Sequence, residues 1–154
     1  MSGEVSSTAP GRIIPALGEH NRPFWTGGAD GRLHIAHCDS CSRWVHPPTR
    51  DCPDCDGDLV ARPVSGLGTV NTFTVNRHPF NPTVPLPYVV ALVELVEQDG
   101  LRVVTNIVEC EPDSVVVGMP VEVRFEEQAT EQDTVFVPVF APRLDGAAET
   151  AITP

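Results

Sequence analysis

Two Cys-x-x-Cys pairs, Cys38-Asp39-Ser40-Cys41 and Cys52-Pro53-Asp54-Cys55, stand ten residues apart and constrain this chain more than anything else in it. Each pair lets one tight turn offer two sulfurs to a single ion from one side. The second turn completes a tetrahedron. Thiolates at this spacing suit zinc, which accepts four sulfurs without geometric preference, and iron is held by knuckles of the same kind. Four protein ligands leave no coordination position open, so the metal is expected to hold structure and do no chemistry. Pro53 stiffens the second knuckle, and Gly57 is expected to take a positive φ where the chain leaves it. The competing arrangement is two disulfides or redox-active thiols. Residues 1–11 are rich in Ser, Thr, Gly and Pro with no apolar run. They read as a loose tail without an export signal, which argues against disulfides and for the cytoplasm.

A ribbon of this size cannot fold on burial alone, so metal binding must supply much of its stability. The 154 residues leave room for one further small domain. Its composition points to β-structure. With 16 Pro, 12 Gly and only 6% aromatics, short strands joined by turns are favoured over long helices. The net charge is −11, and all ten basic residues are Arg. Between residues 94 and 133, eleven acids face only Arg102 and Arg124, a local balance of −9. That half would repel a phosphate polyanion. The longest apolar run, residues 88–93, is far too short to span a bilayer.

Taken in order, residues 13–28 read as a short helical segment, with Pro15 in its first turn and Ile14, Leu17, Phe24 and Trp25 on an apolar face. Residues 32–37 alternate and read as a strand delivering Cys38 to the metal; 43–46 return, and 59–63 leave the ribbon. Five strands follow over 68–77, 88–97, 101–108, 121–126 and 134–140. The second is almost wholly apolar, as a strand buried on both faces would be. Gln98-Asp99-Gly100 is a hairpin turn, with Asp-Gly supplying positive φ angles. Residues 112–119 form a helical turn or loop ending at Gly118. Pro138 places the fifth strand at an edge or a bulge. Five short strands with a helical turn between the third and fourth is the pattern of an OB barrel, although a five-stranded sandwich fragment reads similarly. The divisions are then 1–12 tail, 13–63 helical segment plus zinc ribbon, 64–142 barrel and 143–154 tail, the two tails being disordered.

Few residues suggest chemistry. His34, His37 and His46 flank the ribbon, but four thiolates make them surplus as ligands. Cys110, the fifth cysteine, reads as a small buried or half-buried residue. No Ser-His-Asp constellation or phosphate-binding Gly loop stands out. The segment 76–87 is more informative. It carries Arg77, His78 and Phe80 among four prolines, between the first two barrel strands, where loops help form the OB binding face. Its alternative role is an ordinary long loop with Phe80 tucked over the barrel end.

Several runs taken together are similar to one family. They are Pro23-Phe24-Trp25-Thr26-Gly27, Gly31-Arg32-Leu33-His34-Ile35, the two knuckles with Pro47-Pro48 between them, Gly68-Thr69-Val70, Pro87-Tyr88-Val89-Val90-Ala91 and Gly118-Met119-Pro120-Val121-Glu122-Val123. The family couples a rubredoxin-like zinc ribbon to an OB fold associated with acyl-CoA metabolism, and the resemblance covers residues 14–142. It implies a mainly β chain and an accessory role beside thiolase-superfamily enzymes. These are thiolases in acetoacetyl-CoA complexes and lipid-transfer-protein-like aldolases that shorten steroid side chains as CoA thioesters. Some members are fused to an acyl-CoA hydratase subunit. Where the family often has Gly after each knuckle, this chain has Ser42 and Asp56.

The expectation is therefore a non-catalytic subunit with structural zinc on Cys38, Cys41, Cys52 and Cys55. It would stabilise a thiolase or aldolase in a heterotetramer or larger complex. Phe24, Trp25, Arg77, His78, Phe80 and Tyr88 are the candidate contacts to the enzyme or to CoA. Direct acyl-CoA binding, with Arg77 meeting phosphates, is the alternative. Nucleic-acid binding, which ribbons and OB folds also serve, is opposed by the charge, the absence of Lys and the lack of an aromatic-basic stripe.

Overall fold

The computed structural model describes residues 12–144, so the two expected tails lie almost entirely outside the described residues. The chain first runs without regular structure to a polar turn, in which the Gly18 N–H donates to Asn21 Oδ1 (2.7 Å) and the Asn21 amide to the Ala16 carbonyl (3.1 Å). Helix α1 (Arg22–Thr26) follows with Pro23 in its first turn, and a 3₁₀ turn over Gly27–Asp30 continues it. The helical segment is thus shorter and later than residues 13–28. A helix begun at Ile13 would carry Pro23 in its interior, at the cost of a hydrogen bond and a clash. Pro23, not Pro15, takes the first-turn position. Gly31, at φ +73°, ends the turn.

The ribbon is a three-stranded antiparallel sheet in the order β2-β1-β3, from β1 (Leu33–Cys38), β2 (Trp44–Val45) and β3 (Leu59–Val64). The segment expected only to leave the ribbon is a full strand. β3 pairs with β1 from Cys38↔Leu59 through Leu33↔Val64. Pro63 and the exposed Arg62 hide that strand's period in the sequence.

The remaining strands close into a barrel: β4 (Leu67–Asn76), β5 (Tyr88–Leu95), β6 (Arg102–Ile107), β7 (Pro120–Ala129) and β8 (Thr134–Pro142), in the order β4-β5-β6-β8-β7. The helical turn expected between the third and fourth barrel strands is a 3₁₀ turn over Pro112–Ser114. An irregularity between Val70 and Thr72 bends β4 so that it pairs with β5 along most of its length and with β7 at its start. In the Gln98-Asp99-Gly100 turn only Gly100 has a positive φ, and the Leu101 N–H closes the turn on the Gln98 carbonyl (3.1 Å). The turn is therefore not of the type with two left-handed residues.

Pro138 does not lie at an edge; it is buried in a closed barrel. The β6–β8 seam beside it is a parallel junction with one registered pair, Ile107↔Phe140. The Thr105 hydroxyl reinforces that seam by donating to the Pro138 carbonyl (3.1 Å). So thin a ladder tolerates a residue without an N–H.

One core runs through both halves. Phe24, Leu33 and Ile35 from the N-terminal half join Val70, Val93, Leu95, Val103, Val121 and Phe140 of the barrel. Two local devices permit this. A Cβ on Gly28 would stand 2.4 Å from Phe136 Cβ and 2.6 Å from Phe125 Cδ1, so only glycine lets the 3₁₀ turn lie on the barrel. The Gln98 side chain bridges β2 to the β5–β6 turn like an extra peptide. Its Oε1 accepts from the Trp44 N–H (2.8 Å) and its Nε2 donates to the Trp44 carbonyl (3.0 Å). Cys110 packs half-buried against this core, as expected.

β5 departs from its expectation. Its residues alternate between fully buried and half-buried: Val89, Ala91, Val93 and Leu95 point inward, while Tyr88, Val90, Leu92 and Glu94 point outward. The strand is buried fully on one face and partly on the other.

Candidate metal centre and exposed barrel face

The two knuckles have the same local design. The Ser42 N–H donates to the Cys38 carbonyl (2.7 Å) and the Cys38 N–H to the Arg43 carbonyl (2.8 Å). In the second knuckle the Asp56 N–H donates to the Cys52 carbonyl (2.9 Å) and the Cys52 N–H to the Gly57 carbonyl (2.9 Å). Each thus buries its first cysteine and exposes its second. The Sγ atoms of Cys38 and Cys55 lie 3.5 Å apart, those of Cys41 and Cys52 3.7 Å, and all four fall within 4.8 Å of one another. A Zn–S bond of about 2.3 Å gives a tetrahedron with edges of about 3.8 Å, so the sulfurs already stand close to where four zinc ligands belong. They are far too distant for disulfide bonds, and all the cysteines are free.

The surroundings of the thiols make them differ in acidity. The Cys41 backbone N–H helps hold Cys38 down to about 7. Loss of hydration at its sulfur, followed by the neighbouring thiols, pushes Cys41 up to about 12. A thiol held protonated in this way ionises at neutral pH only when a cation compensates it, which is what bound zinc supplies.

The turn residue is not the expected one. Ser42 (φ 65°) and Asp56 (φ 62°) take the left-handed conformation, and Gly57 does not. Gly57 lies in close quarters: a Cβ there would stand 3.0 Å from Ser40 Oγ, 3.1 Å from Cys38 Sγ and 3.2 Å from Cys55 Sγ, so a side chain would crowd the sulfurs. Asp tolerates the left-handed region; Ser is less suited to it. Ser42→Gly is therefore expected to stabilise the zinc-loaded protein. Relief of left-handed strain, less the added freedom of the unfolded chain, leaves on the order of 0.5–1 kcal/mol. A thermal melt should show Tm rising by a few degrees with zinc content unchanged, and an unchanged or lower Tm would refute this reading.

Around the knuckles, Asp39 accepts from Arg62 Nε (3.0 Å) and from His37 Nδ1 (2.8 Å), tying β3 to the first knuckle. The Arg62 contact and then the His37 contact hold the Asp39 carboxyl down to about 2. His46 packs on Phe24 with ring centroids 4.7 Å apart, and burial lowers it to about 4, so it is neutral at physiological pH. Neither His34, His37 nor His46 joins the four sulfurs; among the described residues the cysteines alone form a metal-binding group.

The six residues expected to meet a partner or CoA are not one patch. Phe24 is buried in the core at 8% exposure. It packs edge-on against Trp25 (4.9 Å, 89°), which is itself half-buried against that core. In this conformation the Phe24 ring seals ribbon to barrel and is not offered to a partner. Arg77 is exposed and paired with Asp113 (3.2 Å). Phe80 is 75% exposed, with its ring beside that of His78 (4.5 Å between centroids), so it is not tucked over the barrel end. Phe24, Trp25 and Tyr88 do share one groove of about 350 Å³, whose other walls include Ile13, Val84, Val90 and Val104. Sequence reasoning missed Ile13, Val90 and Val104. The signal that could have found the last two was the apolar run of β5 and its hairpin partner.

Residues 25–60 match the family described as "ChsH2, rubredoxin-like zinc ribbon domain", and residues 61–126 that described as "ChsH2, C-terminal OB-fold domain". The chain is 40% identical over 136 residues to a "Probable enoyl-CoA hydratase alpha subunit" of Thermomonospora curvata, covering 86% of this chain but 40% of that protein. It therefore spans about two fifths of that relative's length. It is 37% identical over 93 residues to a "DUF35 domain-containing scaffold protein" of Methanothermobacter thermautotrophicus, covering 58% of this chain and 68% of that one. Among solved structures, a chain of the "Ltp2-ChsH2(DUF35) aldolase" superposes with a TM-score of 0.73 at 38% identity, over 84% of this chain and 98% of that one.

Proposed function

The chain belongs to the ChsH2-type DUF35 family of zinc ribbon plus OB fold, and on that premise we propose that it is a non-catalytic accessory subunit. Its work is to bind and stabilise a thiolase-superfamily enzyme acting on acyl-CoA thioesters, an aldolase of the Ltp2 kind first among them. The observation that carries this is the near-complete coverage, at 38% identity, of a chain solved as part of an aldolase. The name of the archaeal relative, a scaffold protein, points the same way. The site chemistry agrees. The cysteine cluster has no open coordination position, and Asp39, Arg62 and His46 near it are engaged in structural contacts. Direct acyl-CoA binding coexists with this role: the groove beside Tyr88 is apolar, and Arg77 stands on the adjoining loop.

The test is co-expression of the tagged chain with the Ltp2-type aldolase of its own source. The expected result is a stable complex, with aldol cleavage of an acyl-CoA substrate by the complex and none by this chain alone. Turnover by the purified chain, or an aldolase that neither binds it nor gains activity or solubility from it, would overturn the proposal.

A further inference from the structure

We infer that the outer face of the β5–β6 hairpin is the surface on which the partner enzyme packs, with Val104, Leu92 and Val90 at its centre and the Ile13 arm at its border. This rests on the accessory-subunit reading and assigns it a place. In a closed antiparallel barrel the inward side chains are apolar and the outward ones ordinarily polar. Here the outward set of β5 is Tyr88, Val90 and Leu92, and Leu92 pairs with Val104 of β6. Val104 is 69% exposed and Ile13 87%. β5 thus carries an apolar outer face that this chain covers only in part: Tyr88, Val90 and Leu92 stay half-buried, and Val104 beside them is left open.

The face is a shaped surface as well as an apolar one. The groove beside it is lined by Ile13, Pro15, Val84 of the proline loop, Val90 and Val104 among others. Phe80 and Leu86, both exposed, extend the apolar surface along that loop. Arg12 pins the arm at this border, with Nε on Glu126 (2.6 Å) and Nη1 on Asn106 Oδ1 (2.8 Å).

Charge narrows the occupant. Both arginines of the acidic half are held in ion pairs within the chain, Arg102 with Glu94 (3.1 Å) and Arg124 with Glu109 (3.3 Å) and Glu122 (2.8 Å). Glu111, Glu127 and Glu131 stay exposed. A partner that fits is a protein surface with apolar side chains opposite this face and an excess of Lys or Arg, the arrangement that speeds association and selects orientation. A second copy of this chain, with the same net charge of −11, fits poorly.

The experiment uses the full zinc-loaded chain and the co-expressed aldolase. Val104→Asp should weaken the complex at least ~30-fold, with Tm and zinc content unchanged. Val104→Thr, which keeps the β-branched shape, should weaken it less. Val60→Asp, exposed on the ribbon strand β3, is the control and should have no effect. Raising salt should slow association more than it speeds dissociation. If the aldolase binds and Val104→Asp leaves affinity intact, this surface assignment is wrong while the accessory role stands. If the wild-type chain binds no aldolase, both fall. A dimer of the isolated chain that Val104→Asp dissociates would give the face to self-association and overturn the inference.

Discussion

Cys52→Ser is expected to yield protein without stoichiometric zinc and with its ribbon unfolded. Cys52 is buried at the root of the second knuckle, and its Sγ stands 3.7 Å from that of Cys41. Removing one thiolate leaves three ligands and an imperfect site. The free energy at stake is that of structural zinc in a small module, on the order of 10 kcal/mol or more. A six-residue strand, a two-residue strand and a second six-residue strand cannot replace that by burial. Protons compete for the same sulfurs, so wild-type affinity should also fall as pH falls, the Cys41 thiol being held protonated well above its ordinary range. Elemental analysis and far-UV circular dichroism of both proteins check this. One equivalent of metal in Cys52→Ser with an unaltered spectrum would show that the cluster is not the ribbon's keystone. Iron in place of zinc in the wild type would change the ion and leave the argument about the ligands standing.

What the sequence disclosed and what it hid divide along physical lines. The ligand set was legible because Cys-x-x-Cys spacing alone fixes where two sulfurs can point. The barrel was legible because strands β4 to β8 each carry their own period and their own turn residues. The long-range steric demands were not. Gly57 looks like a turn glycine, yet it matters for the room it leaves beside two sulfurs, while the left-handed positions fall on Ser42 and Asp56. Gly28 is needed because Phe125 and Phe136, about a hundred residues away, arrive against it. Gln98 lay in a hairpin turn with nothing to reveal that its amide bridges to Trp44. In each case the cause is a contact distant in sequence. The continuous apolar run of β5 suggested burial on both faces; the structure buries the inner face fully and the outer face only in part.

That division leads to a second large effect, because two aromatics that look alike in the sequence have opposite surroundings. Phe24→Ala should destabilise the isolated chain by about 3–5 kcal/mol, the usual cost of emptying a buried phenylalanine site. Its ring meets Trp25 and His46 and belongs to the core joining ribbon to barrel, at 8% exposure. His46, pushed to about 4 by its burial, would then gain access to water, so the variant should also lose part of its native stability advantage at neutral pH over mildly acidic pH. The sign follows from the depressed value. A neutral buried imidazole contributes stability above its unfolded value of about 6.5 and loses it as pH falls toward the folded value. Phe80→Ala should do the reverse of Phe24→Ala. With Phe80 75% exposed, truncation costs the isolated chain almost nothing, and Tm should stay within a degree or so. If the proline loop borders the partner's seat, the same change should weaken the aldolase complex by about 2 kcal/mol, because large exposed aromatics held by a stiff loop are the residues that anchor interfaces. Thermal melts and affinities measured on both variants separate the roles. A Phe80→Ala protein that melts early with unchanged affinity would make the loop a structural clamp. A Phe24→Ala protein of native stability would mean that ribbon and barrel are joined by Gln98 and the Gly28 contact instead.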